Sequence, residues 1–224
     1  MNTQTVPNPQ EGIRLANKFL IKTLDKRTVL FLSGGKTPEL LYRKFAREKK
    51  FVVGAVGMID ERFTERGHTE SNEAMIEKTG LLSYLSKKNI PFYPMLRKGL
   101  PFEKCAHTYD VTVRFLLNHF SKSVGVMGIG EDGHTAGILP NAKEEPRKLV
   151  SAVLDPNGVY PQRITMTFSA LTLIDILVVL AFGENKRKVL ADMRINGSIA
   201  ALPARFYSQK GIVKKTILIT DQTI

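Results

Sequence analysis

One histidine stands in a short polar segment, residues 128–135 (GIGEDGHT), directly after an apolar run. The reference pKa of histidine is about 6.5, which allows the side chain to accept a proton and return it near neutral pH. Asp132 carries a carboxylate that is able to orient the imidazole or a water molecule. An isolated loop histidine is usually only solvated, but the adjacent glycines and the position after a strand favour catalysis. We therefore predict that His134 is a general base.

A second segment, residues 33–38 (SGGKTP), has the composition of an anion-binding turn between a strand and a helix. Gly34 and Gly35 permit tight backbone geometry and close approach of a ligand. Thr37 is predicted to cap the helix, whose positive end and free N–H groups then face the turn. An ordinary strand-to-helix turn is the alternative. The segment is not a P-loop, because Leu30 stands where that motif requires its first glycine.

Residues 128–133 also spell GxGxxG, the fingerprint of dinucleotide-binding folds, and Asp155 follows at about the distance of a ribose-binding acid. Two features oppose this interpretation. Glu131 and Asp132 would place like charge against a pyrophosphate, and a glycine and a proline interrupt the helix that should follow. We therefore expect no dinucleotide cofactor.

Three cationic residues, Arg62, Arg163 and Lys186, lie near the starts of predicted strands or helices. An arginine can hold a phosphate through two parallel hydrogen bonds, and a lysine supplies a point charge. Each residue, taken singly, is more often a solvated surface charge. The other histidines lack a comparable context, and we interpret His107 and His119 as helix residues and His68 as a loop residue.

Strand-like apolar runs alternate with helical patterns, which predicts an α/β fold with a mainly parallel sheet flanked by helices. The predicted strands are Thr28–Leu32, 51–59, 124–127, 163–167, 176–182 and Thr216–Thr220, with a short extended piece at 91–95. The predicted helices are 38–49, 72–85, 102–120, 169–173 and 184–194. Leu40, Leu41 and Phe45 are predicted to share one face of the first helix. Residues 140–161 form the least regular part and are interpreted as a surface segment.

Three polar segments, residues 33–37, 60–62 and 128–134, each follow a predicted strand. Ligands of parallel α/β sheets bind beyond the carboxyl ends of the strands. We therefore expect these three segments to converge on one site.

The composition of the 224 residues is that of a soluble globular protein, and we predict a single domain spanning 1–224. Cys105 is the only cysteine, which excludes an intrachain disulfide and suits a reducing cytoplasm. No apolar run is long enough to cross a membrane, and no secretory signal is recognisable. The net charge of +12 indicates attraction to an anion, either a phosphorylated small molecule or a nucleic acid. Because the basic residues are spread along the chain, a generally basic, solvated surface is favoured over nucleic-acid binding.

Taken together, in order and spacing, the motifs of residues 29–190 resemble the 6-phosphogluconolactonase family, within the wider glucosamine-6-phosphate isomerase/deaminase superfamily. The motifs are SGGKTP at 33–38, DERF at 60–63, SN at 71–72, MGIGEDGHTAGILP at 127–140, QRITMTFSAL at 162–171 and GENK at 183–186. Any one of them alone would not be specific.

The resemblance implies a sheet of modified Rossmann type, no cofactor and no metal. It implies hydrolysis of 6-phospho-D-glucono-1,5-lactone to 6-phosphogluconate, a step of the pentose phosphate pathway. The implied phosphate site consists of Ser33, Gly34, Gly35, Thr37, Arg163 and Lys186. The implied catalytic group consists of His134, Asp132, Arg62 and Asp60. His134 would activate water and then protonate the departing ring oxygen, while Arg62 holds substrate or the developing negative charge.

The related deaminases are the principal alternative. Their histidine loop is similar to DGHIAFNEP, with a catalytic glutamate where this chain has Leu139, and Thr135 and Arg62 also depart from their pattern. A non-catalytic sugar-phosphate binder is a further alternative, which the intact Asp132 and His134 disfavour. A nucleic-acid-binding role rests on charge alone.

Three segments depart from the lactonase pattern. The histidine loop ends in AGILP, the amino terminus is short and the carboxyl terminus lacks a tryptophan-containing segment. The first strand of the family is therefore expected to be missing or curtailed, and the sugar-facing wall is expected to differ. The oligomeric state does not follow from the sequence.

Overall fold

The computed structural model describes residues 1–65, 67–143, 147–155 and 158–223. Nine strands are present in this part of the chain: β1 (Asn2–Thr5), β2 (Thr28–Leu32), β3 (Ala55–Met58), β4 (Asp60–Arg62), β5 (Lys122–Gly128), β6 (Val150–Leu154), β7 (Gln162–Met166), β8 (Ile176–Ala181) and β9 (Thr216–Thr220). Six of them form one sheet in the order β1-β9-β8-β5-β2-β3, and every neighbouring pair is parallel. The predicted mainly parallel sheet is confirmed.

Helices cover this sheet. They are α1 (Pro9–Thr23), α2 (Lys36–Glu48), α3 (Asn72–Lys78), α4 (Leu81–Lys87), α5 (Phe102–His119), α6 (Phe168–Leu173) and α7 (Arg187–Asp192), with 3-10 turns at Glu184–Lys186 and Pro203–Ser208. All five residues of β2 are buried, and β8 is buried beyond its first residue. Strands covered on both faces read as continuous apolar runs, which is why both were recognisable in the sequence.

A second, antiparallel sheet, in the order β4-β7-β6, was not predicted. The predicted strand 51–59 is wrong in its extent, because β3 ends at Met58 and β4 starts a separate strand. Ile59 joins the two sheets: its N–H donates to Leu32 O and its carbonyl accepts from Met166 N. The prediction that 140–161 is irregular is wrong for β6, which pairs with β7 along all five residues.

The start of α2 differs from the prediction. Its N-cap is Gly35, with φ of 103°, and Thr37 lies inside the first turn and does not cap the helix. A positive φ is strained for any residue with a Cβ, so glycine is the residue that allows the chain to turn here. Leu41 and Phe45 share the buried face, but Leu40, which was predicted to share it, is 48% exposed and lies off that face.

The predicted helix 72–85 is divided into α3 and α4 at Gly80, which has φ of 82°. The predicted helix 184–194 consists of a 3-10 turn followed by the short α7. At the amino terminus a first strand is present: β1 has four residues and pairs with β9. The helix α1 was not predicted; Asn8 caps it by accepting from Glu11 N at 2.9 Å.

Candidate active site

A cleft of about 410 Å³ opens at the carboxyl ends of β2, β5 and β8. The three polar segments that follow predicted strands all contribute to it, so their predicted convergence is confirmed. The predicted site residues that line the cleft are Ser33, Gly34, Gly35, Thr37, Asp60, Arg62, His134, Arg163 and Lys186. Asp132 does not line the cleft and reaches it only through His134.

The imidazole of His134 is held by Asp132. Nδ1 lies 2.6 Å from Asp132 Oδ1, and the same oxygen accepts from the His134 backbone N–H at 3.1 Å. The hydrogen bond from His134 lowers the pKa of Asp132 to about 2, so the carboxylate is ionised and acts as acceptor. Nδ1 therefore carries the proton, and Nε2 is left as the basic nitrogen of a ring that lines the cleft.

Two glycines and the hydroxyl groups of Thr135 and Tyr207 fix the conformation of the loop around His134. A Cβ at Gly130 would lie 2.1 Å from His134 Nδ1, and Gly133 has φ of 86°. Thr135 Oγ1 donates to Gly128 O at 2.9 Å and lies 2.5 Å from the hydroxyl of Tyr207. Tyr207 was not predicted, since it is distant in sequence and no motif marks it.

The turn before α2 carries the predicted anion-binding groups. Ser33 is buried, and its Oγ has no hydrogen-bond partner among the described residues. Gly34 packs so closely on Asn72 that a Cβ would lie 1.8 Å from Asn72 Oδ1. The N–H groups of the first turn of α2 have no intrahelical acceptors, as at any helix start. Lys36, which was not predicted as a site residue, also lines the cleft and is exposed.

Asp60 and Arg62 come from β4 on the opposite wall. Asp60 is buried and accepts from Asn72 Nδ2 at 3.0 Å. Burial raises the pKa of Asp60, and the nearby charges of Arg62 and His134 oppose this rise. Arg62 Nη1 donates to the carbonyl of Glu70 at 2.5 Å, while its buried Nε has no partner in the described part of the chain.

Arg163, on β7, is held by Asp155. Its Nε and Nη2 lie 3.1 and 3.0 Å from the same carboxylate oxygen of Asp155, and both side chains are largely buried. The GxGxxG spacing offers Asp155 as a ribose-binding acid, but in the structure Asp155 is the ion-pair partner of Arg163. Arg163 itself lines the cleft.

The turn after β8 closes the third side of the cleft. Gly183 has φ of 100°, and Lys186 follows in the 3-10 turn that lines the cleft. Asn185 Nδ2 donates to Glu131 Oε1 at 2.5 Å and joins this turn to the histidine loop. Among the described residues, four cationic side chains stand on the walls of the cleft: Lys36, Arg62, Arg163 and Lys186.

Within the described ranges, no three His, Cys, Asp or Glu side chains converge in an arrangement that could hold a metal ion. None of the helices described is long and apolar enough to span a bilayer. Cys105 is buried in α5. The cleft places an imidazole with a carboxylate partner on one side and the turn before α2 on another.

Fold and site together define a parallel α/β protein that combines a histidine–aspartate pair with a cationic cleft at the carboxyl edge of its sheet. A family model described as glucosamine-6-phosphate isomerases/6-phosphogluconolactonase matches residues 13–217. The chain belongs to this family.

Individual relatives agree with this assignment. A 6-phosphogluconolactonase of Xylella fastidiosa is 32% identical over 175 residues, which cover 73% of this chain and 70% of the relative. The 6-phosphogluconolactonase of Thermotoga maritima is 30% identical over 205 residues, covering 89% and 88% of the two chains. The crystal structure of a 6-phosphogluconolactonase from Shewanella baltica superposes with a TM-score of 0.82 at 21% identity, covering 98% of this chain and 97% of that one. The structural similarity concerns the fold.

Proposed function

We propose that this chain is a 6-phosphogluconolactonase, which hydrolyses 6-phospho-D-glucono-1,5-lactone to 6-phosphogluconate in the pentose phosphate pathway. The observation that carries the proposal is the pairing of Asp132 with His134 Nδ1 at 2.6 Å, with the ring facing the cleft. The names of the curated relatives support the same activity.

The phosphate of the substrate binds at the turn before α2. Gly34 and Gly35 bring the backbone close to the ligand, and the N–H groups of the helix start point towards it. Ser33 Oγ, buried and without a partner among the described residues, supplies a further donor. Arg163 and Lys186 add charge-assisted hydrogen bonds from the other walls.

The lactone carbonyl lies next to His134. Nε2 takes a proton from a water molecule as the water oxygen attacks the carbonyl carbon, and Arg62 stabilises the negative charge that develops on the carbonyl oxygen. When the tetrahedral intermediate collapses, the bond from carbon to ring oxygen breaks and the imidazolium returns its proton to that oxygen. Asp132 holds the ring in one tautomer and stabilises its charged form.

Isomerisation with deamination of glucosamine 6-phosphate is the alternative activity of the same family. The deaminase loop requires a glutamate where this chain has Leu139, and Leu139 does not line the cleft. The carboxylate needed for that chemistry is thus replaced by an apolar side chain, which supports the lactonase.

The deciding experiment measures lactone hydrolysis by the purified protein, with the spontaneous rate subtracted, and ammonia release from glucosamine 6-phosphate in parallel. We expect rapid hydrolysis of the lactone and no ammonia. Ammonia release at a rate comparable to lactone hydrolysis would replace the lactonase by the isomerase. Binding of 6-phosphogluconate without either reaction would leave a non-catalytic sugar-phosphate binder.

A further inference from the structure

Glu61, the central residue of β4, is buried with 1% exposure and does not line the cleft. Its neighbours Asp60 and Arg62 both do, as the alternation of side chains along a strand requires. A buried carboxylate is costly unless its oxygens accept hydrogen bonds. The groups that donate hydrogen bonds to Glu61 therefore show which segments of the chain this side chain fixes.

Both carboxylate oxygens of Glu61 are fully used. Oε1 accepts from the backbone N–H groups of Arg62 and Asn72, each at 2.7 Å. Oε2 accepts from Ser71 Oγ and from the backbone N–H of Glu73, each at 2.8 Å. Three of the four donors belong to residues at the start of α3, so Glu61 attaches this helix to β4.

The side chain of Asn72, the first residue of α3, reaches towards the cleft. Its Nδ2 donates to Asp60 Oδ2 at 3.0 Å and to the Asp60 carbonyl at 2.9 Å. Its Oδ1 is the atom that a Cβ at Gly34 would strike. Asn72 thus touches both a carboxylate of the cleft and the turn that faces the phosphate.

We propose that Glu61 is a positioning residue, which fixes Asn72 and through it the separation between Asp60 and the turn at residues 33–35. This inference rests on the proposed function, because Asp60 and the turn are taken to act on the substrate. Among the described residues, the charged residues adjacent or hydrogen-bonded to Glu61 are Asp60 and Arg62 on its own strand and Glu73 on α3, while Ile164 of β7 stands opposite it in the register.

The test compares Glu61→Gln with wild type at about pH 8, where the carboxylate is ionised. Glutamine has the same shape as glutamate, but its NH₂ group replaces one of the two acceptor oxygens. That NH₂ group cannot accept the hydrogen bonds that the oxygen accepted. Because small misplacements of positioning groups are costly, we expect kcat/KM for the lactone to fall by about tenfold or more. Binding of 6-phosphogluconate, measured by calorimetry, should weaken by about fivefold and does not depend on turnover.

The matched control is Asp110→Asn. Asp110 is another buried carboxylate that accepts backbone N–H groups, from Leu149 at 2.6 Å and Val150 at 3.0 Å, but neither of these residues lines the cleft, whereas Asn72 does. The Asp110→Asn variant should be less stable than wild type, with kcat/KM and 6-phosphogluconate binding within about twofold of the wild-type values.

A double-mutant cycle that combines Glu61→Gln with Asn72→Ala tests whether Glu61 acts through Asn72 or whether its loss destabilises the fold in general. If Glu61 acts through Asn72, the two losses are not additive and the double variant resembles Asn72→Ala. Folded Glu61→Gln with wild-type kinetics, or fully additive losses, would overturn the proposal. If Glu61→Gln does not fold, a folded Asn72→Ala with wild-type kinetics and binding overturns it equally. Wild-type protein that binds 6-phosphogluconate without hydrolysing the lactone would refute only the proposed function, and the binding arm would still decide the role of Glu61.

Discussion

At the scale of single residues, the chemistry depends on charges that are held by a neighbour. The bond between His134 and Asp132 decides which ring nitrogen is basic, and the low pKa of Asp132, about 2, keeps that carboxylate ionised at any pH where the protein is assayed. Arg163 is fixed in the same way by Asp155. In both cases a carboxylate fixes the orientation of the side chain that lines the cleft.

We expect His134→Asn to lower kcat for lactone hydrolysis by about 10²–10⁴-fold, with a much smaller change in KM, because it removes the base without removing the phosphate contacts. Steady-state kinetics with the spontaneous rate subtracted give both constants. His107→Asn is the matched control, since His107 lies on α5 and does not line the cleft. A folded His134→Asn variant with most of the wild-type rate would contradict the mechanism, although the phosphate site would stand.

Arg163→Ala and Lys186→Ala should mainly weaken binding of the phosphorylated substrate. Each removes a charge-assisted contact of about 1.5–3 kcal/mol, which corresponds to a rise in KM of about tenfold to a hundredfold. Asp155→Asn should raise KM by a smaller factor, because Arg163 remains but loses its anchor. The same kinetic assay measures all three.

Arg187→Ala is the control for this series, because Arg187 is next to Lys186 but pairs with Glu184 at 2.8 Å on the exposed surface. Its KM should equal that of wild type. Unchanged KM for both Arg163→Ala and Lys186→Ala would place the phosphate elsewhere in the cleft.

At the scale of elements, the small antiparallel sheet is what brings two of the cationic residues to the edge of the parallel sheet. In its register Arg62 stands opposite Arg163, so β4 and β7 present both guanidinium groups on one wall. Two adjacent cations repel each other, and the contact of each with an acceptor, Glu70 O for Arg62 and Asp155 for Arg163, offsets this cost.

The free energy of unfolding has a pH dependence that arises at Glu61, the residue that attaches α3 to β4. Burial raises the pKa of Glu61 from 4.5 to about 7, so the folded state holds this proton more tightly than the unfolded chain. The resulting contribution to stability is complete below the unfolded pKa and is lost as the pH rises through about 7.

Glu61→Gln lacks this titration. Between about pH 5 and pH 8 its free energy of unfolding should therefore gain about 2–3 kcal/mol relative to that of wild type. Urea denaturation at several pH values measures the difference in the free energy of unfolding between the two proteins. Asp60 is present in both, so its titration cancels from this difference. Parallel pH profiles for the two proteins would show that Glu61 does not titrate in this range.

At the scale of the whole molecule, the net charge of +12 is spread over the sequence, and four cations of the described residues stand on the walls of the cleft. Charge spread in this way attracts small anions. The charge is therefore consistent with attraction of a phosphorylated metabolite.

We expect weak binding of DNA and RNA that falls steeply as the salt concentration rises, since only counterion release would drive it. Fluorescence anisotropy with labelled duplex DNA and single-stranded RNA at low and physiological salt measures it. Sequence-selective, submicromolar binding that persists at physiological salt would refute this expectation and assign the surface charge a function.

The sequence by itself determined the parallel sheet, the glycine-containing turn at residues 33–38 and the loop of His134. These features are encoded locally: buried strands read as apolar runs, and glycines mark the turns at Gly35 and Gly133, where φ is positive. The order of strands and turns was enough to predict that three polar segments meet at one edge.

The tertiary structure alone decided the contacts between residues far apart in the sequence, and with them the antiparallel sheet. The strands of this sheet are short and partly exposed, so their pairing gives no continuous apolar pattern, and Val150–Leu154 was mistaken for irregular chain. Nothing in the spacing of Glu61 and Asn72 indicates that one holds the other, or that Tyr207 meets Thr135. Such pairings depend on the direction of each side chain, which packing fixes only after the elements are in place.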